Sequence, residues 1–251
     1  MSTGKKILYC AALIVWTFAS LLASQFFVSF VMAMLLGEKF TEPFWTLIYY
    51  IFSYTLALLF IVMWTPLTDL WQKRGTKKEK RAHFSLKAWW KAHYTLLGLD
   101  HLPTIVDVGL APIGYIAYVF VANFVVNLLA KAPWFNANEE QDIGFNLFIS
   151  GWDRFFAMFA VIIVAPIAEE LIMRGWLYGS LREKLKAPVA ILLVSVLFGI
   201  LHGQLNVGIT VGIMSIILCG LREITGTIWG GIFLHVISNG IAFYMLYSLG
   251  I

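Results

Sequence analysis

Apolar residues dominate the chain in long blocks, without the alternation of half-buried strands or the 3.6-residue stripe of soluble helices. Uncharged or nearly uncharged runs occupy 7–36, 43–67, 105–130 and 224–251. A helix needs about 20 residues to cross a hydrocarbon core roughly 30 Å thick at about 1.5 Å per residue, so each run predicts one spanning helix. Between them, 152–186 is apolar but interrupted by Glu169, Glu170 and Arg174, and 188–221 is uncharged but broken at Gly203-Gln204-Leu205-Asn206. The first predicts one further helix and the second two short ones, 188–202 and 207–221. The predicted fold is an all-α polytopic transmembrane bundle of about seven membrane segments.

Loop charge orients the bundle, because Lys and Arg are retained on the cytoplasmic side. With the N-terminus cytoplasmic, that side holds Lys5, Lys6, the eight basic residues from Lys73 to Lys91, Arg182, Lys184, Lys186 and Arg222, fourteen of the 18 in the chain. Lys39, Lys131 and Arg154 fall on the other side, and Arg174 lies within the membrane. The uncharged stretch from Ile7 to Leu36 exceeds the 7–15-residue apolar region of a cleaved signal peptide and reads as a retained anchor. Two parts are expected: N-terminal helices over 1–149, including a basic, Trp-bearing loop at 68–104 suited to the anionic lipid surface, and a core over 150–251.

Composition changes this picture little. At 251 residues, 60% hydrophobic and 13% charged, the chain has more apolar surface than a soluble domain could bury. The net charge of +4 does not imply nucleic acid, because the basic residues follow the topology. Cys10 and Cys219 sit in apolar runs and read as buried thiols. The expected setting is an integral multi-pass protein, read as one of a bacterial cytoplasmic membrane, in contact with lipids.

Ionisable groups inside a membrane segment need a partner or a purpose. Glu170 and Arg174 are four residues apart on a predicted helix, so they share a face and can pair. Glu169 points about 100° away and stays available. His202 ends the fifth segment, and His235 and Asn239, four apart, share a face of the last. Measured from the nearest cytoplasmic charge at about 1.5 Å per residue, Glu169, His202 and His235 lie roughly 20, 24 and 20 Å deep and Asn239 about 26 Å, a single layer. Phe198 reads as packing, Asp107 as reaching water, and His83, His93 and His101 as solvated. Glu139 and Glu140 read as a polar loop, since Gly144 stands where a partner arginine would be needed.

Three patterns in order, Glu169-Glu170-x-x-x-Arg174, Phe198-x-x-x-His202 and His235-x-x-x-Asn239, resemble the CAAX-protease and bacteriocin-processing family of intramembrane peptidases, over about residues 150–247. The resemblance implies an intramembrane endopeptidase with Glu169, His202, His235 and Asn239 as catalytic residues and Glu170 and Arg174 in support. It implies a peptide or membrane-protein substrate: a prenylated C-terminus or, in bacteria, a bacteriocin, pheromone or related peptide. One mechanism has Glu169 and His202 activate water while His235 and Asn239 stabilise the oxyanion. The other has Zn2+ on Glu169, His202 and His235, with water in the fourth position. No His-Glu-x-x-His helix is present, and Asn239 suits an oxyanion better than zinc, which slightly favours the metal-free route. The rival classes are a non-proteolytic scaffold or bacteriocin self-immunity protein that binds a peptide or sensor kinase, and a proton or metal transporter. Transport is disfavoured because no two halves show matching interrupted segments.

Overall fold

Backbone groups in lipid must be satisfied within their own segment, and each long apolar run accordingly contains a helix in the computed structural model, which describes residues 2–64, 93–137, 139 and 151–249. Among the described residues seven helices carry the fold: α1 Thr3–Leu36, α2 Pro43–Val62, α3 Ile105–Leu129, α4 Gly151–Arg182, α5 Ala187–Leu201, α6 Leu205–Thr225 and α7 Trp229–Tyr247. Among the described residues six are long and apolar enough to cross a membrane, α5 is shorter, and no strand occurs. The protein is an integral, multi-pass helical bundle.

Three expectations change in detail. The helix expected at 207–221 runs from Leu205 to Thr225 and is long enough to cross by itself. Asp107, expected in water, is 1% exposed. The first turn of a helix has unpaired N–H groups, and Asp107 fills a capping box there with Thr104. Its Oδ2 accepts from the Thr104 backbone N–H at 2.8 Å, and its Oδ1 accepts from Thr227 Oγ1 at 2.7 Å. The α6–α7 turn thereby covers a carboxylate that sequence depth alone leaves at the surface. Of the basic connection expected at 68–104, residues 65–92 lie outside the described residues, with His83 among them; its end forms a helical turn over 93–97. His93 is half-buried beside the Trp176 ring, whereas His101 is exposed.

α1 lies along α2, and α3 packs against α6 and α7. The α5–α6 hairpin fixes the height of His202. Its turn passes through Gly203 at φ 68°, a left-handed conformation that favours glycine. The backbones then touch: a methyl group on Gly199 would lie 2.5 Å from the Gly208 carbonyl oxygen, and one on Gly208 would lie 2.8 Å from that of Gly199. Small residues permit this approach in membrane helices. Gly208→Val is therefore expected to push α5 from α6 and destabilise the protein by about 1–3 kcal/mol, measured as a lowered thermal midpoint in detergent. At the polar end of the hairpin, Gln204 and Asn206 both donate to the Glu139 carbonyl.

Candidate active site

Pro166 interrupts the hydrogen-bond ladder of α4, because proline has no N–H and its ring crowds the carbonyl four residues earlier. The helix responds with a π-helical turn over Ala160–Val164, and a second π segment covers Glu170–Tyr178. Such turns gather at functional sites, and here they flank Glu169. Asn239 on α7 uses the distortion: its Nδ2 donates to the Val161 carbonyl at 2.9 Å.

Glu170 and Arg174 are both completely buried. Arg174 Nη1 donates to Glu170 Oε1 at 2.9 Å. The same oxygen lies 3.0 Å from His235 Nδ1. An ionised carboxylate only accepts, so the hydrogen of this contact sits on Nδ1, which orients the ring and leaves Nε2 towards Glu169. His235 Nε2 lies 3.8 Å from Glu169 Oε2. Gly231 makes room for this cluster, since a methyl group there would lie 2.9 Å from Glu170 Oε2.

Glu169 turns away from its neighbour, as the helical offset predicts. Its Oε1 accepts from the Tyr54 hydroxyl at 2.8 Å. With Tyr54, Phe198 and His202 it lines a cavity of about 160 Å³ to which α1 contributes Leu21, Leu22 and Gln25. His202 Nδ1 is 2.9 Å from the Phe198 carbonyl of its own helix, so Nε2 is the ring nitrogen not used in that contact. Among the described residues no direct hydrogen bond joins His202 to Glu169; they meet across the cavity, a space that suits a water or a substrate carbonyl.

Phe198 is more than packing. The Arg174 guanidinium sits over its ring, 4.3 Å from the centroid. Its ring meets His202 edge-on at 4.9 Å and His235 at 6.0 Å. A desolvated cation over an aromatic face is worth about 2 kcal/mol or more, so Phe198 helps hold the arginine while spacing the two histidines.

The donor types of Glu169, His202 and His235 suit a divalent metal, and both histidines are anchored through Nδ1 in the manner of metal-ligating rings. Their spacing does not: among the described residues no three His, Cys, Asp or Glu side chains are grouped closely enough to hold an ion.

The fold and this buried polar layer define an integral membrane protein with a cavity lined by a carboxylate and a histidine. Residues 151–241 match the family profile described as "Type II CAAX prenyl endopeptidase Rce1-like". The resemblance drawn from the three motifs is thus shown over this segment, which contains Glu169, Glu170, Arg174, Phe198, His202, His235 and Asn239 but not Tyr54. The chain is also 39% identical over 77 residues to a Bacillus subtilis (strain 168) protein named "Putative membrane peptidase YdiL", covering 31% of this chain and 32% of that one. The match thus spans about a third of the relative's length. No solved structure matches.

Proposed function

We propose that the protein is an intramembrane endopeptidase in which Glu169 activates water. The observation that carries this reading is the Glu169 carboxylate on the wall of a small cavity shared with His202, one oxygen held by Tyr54 and the other 3.8 Å from His235. Water held between Glu169 and His202 would lose a proton to Glu169 as it attacks the scissile carbonyl, and Glu169 would return that proton to the departing amine nitrogen. The oxyanion would be met by the second N–H of Asn239, the first being committed to Val161, and by His235 when Nε2 carries a proton. Glu170 and Arg174 act by fixing His235.

The resemblance and the printed family description favour a membrane-associated peptide or protein as substrate, either a prenylated C-terminus or a bacterial signalling or bacteriocin peptide. The proposed setting is the bacterial cytoplasmic membrane with the N-terminus inside. The test is cleavage by purified protein in nanodiscs of two quenched fluorescent probes, a farnesylated C-terminal peptide and an unlipidated transmembrane peptide. His202→Ala is expected to lower the rate on the order of 100-fold. Persistence of the wild-type rate in a strong chelator supports the metal-free route, and its loss, restored by zinc, would replace that route with a metal one. Wild-type protein that binds a probe without ever cutting it would favour the scaffold or immunity reading.

A further inference from the structure

The matched segment leaves the first 150 residues without a chemical role, yet one side chain there touches the proposed base. Tyr54 lies midway along α2, and with Ala57 and Ile61 it forms the buried face of that helix. The positions fall three and four residues apart, as a helix face requires. The ring is 8% exposed and stacks on Tyr50 one turn earlier, with centroids 6.0 Å apart and planes 16° apart. Its hydroxyl reaches 115 residues along the chain to Glu169 Oε1.

We infer that Tyr54 is a positioning residue for Glu169, an inference that rests on the proposed peptidase reading. The carboxylate has two equivalent oxygens and a free terminal torsion. The Tyr54 bond breaks that equivalence by holding Oε1 against α2, which leaves Oε2 on the side of His235. A base held in one orientation meets its water without a search, and loss of orientation lowers turnover more than binding. Among the described residues, Glu169 is met by Tyr54 and, behind it, Tyr50 from α2, by His202 across the cavity from α5 and by His235 from α7, while Glu170 and Arg174 of α4 pair with each other on another face. The N-terminal helices become part of the catalytic unit, since α2 supplies this contact and α1 lines the cavity at Gln25.

Tyr54→Phe removes the hydroxyl and keeps the ring, so packing and hydrogen bonding separate. With the same probes in nanodiscs, kcat should fall about 10–100-fold, the range for one hydrogen bond to a charged group. KM should stay within about twofold, as expected when binding contacts are untouched, and the thermal midpoint should not move. A Tyr54→Phe protein with wild-type kcat overturns the inference, as does one whose kcat falls only together with its thermal midpoint, which marks a structural role. Glu169→Ala, assayed alongside, keeps the failures apart. An active Glu169→Ala protein sinks the peptidase reading itself, whereas an inactive one beside a fully active Tyr54→Phe sinks only the role of Tyr54.

Discussion

Arg174→Met is expected to destabilise the protein by about 3–5 kcal/mol, the penalty for leaving a buried charge without its partner. Glu170 and Arg174 are both completely enclosed. Removing the cation leaves a buried carboxylate with His235 at 3.0 Å but no paired cation from α4, and also removes the guanidinium from the Phe198 ring. Methionine fills most of the volume, so the loss is electrostatic more than steric. The double variant Glu170→Gln/Arg174→Met is expected to recover most of the stability, because glutamine is neutral and still accepts from His235 Nδ1. Thermal melts in one detergent read both variants. A double variant as unstable as Arg174→Met alone would show that the arginine acts through packing.

Much of this architecture is legible in the sequence because the membrane enforces simple rules. Runs of apolar residues had to be helices, and the charges inside them had to meet partners. The i,i+4 spacing of Glu170 and Arg174 pairs them, and the offset of one residue turns Glu169 elsewhere. The depth estimate anticipated one layer, and the structure brings Glu169 and His235 to 3.8 Å and sets Glu169 beside His202 on one cavity.

What the sequence hides depends on contacts between helices or on the backbone itself. Tyr54 is one tyrosine in an apolar helix, and nothing local marks it; only the packing of α2 on α4 brings it to Glu169. Phe198 carries no charge, so its place beneath Arg174 has no signature beyond its spacing from His202. The bond from Asn239 goes to a carbonyl in a π turn, which a reading of α4 as a regular helix does not anticipate. Pro166 was the available signal. Asp107 went astray for a related reason, since a cap depends on where the helix begins and on what covers it.

Glu169→Gln bears on the central claim with the largest expected effect on activity. Glutamine keeps the shape and still accepts a hydrogen bond from Tyr54, so the cavity and fold are expected to persist with an unchanged thermal midpoint. It cannot take a proton from water, and loss of a general base lowers rates by about 10²–10⁴-fold. If Glu169 serves only to brace helices, glutamine should do so nearly as well. The direct measurement is mass spectrometry of the farnesylated and transmembrane peptides after incubation with wild-type and Glu169→Gln protein in nanodiscs. The account predicts defined cleavage products from at least one peptide with wild-type protein and at least about 100-fold less with Glu169→Gln. Equal product from both proteins, or none from wild type with either peptide, would contradict it.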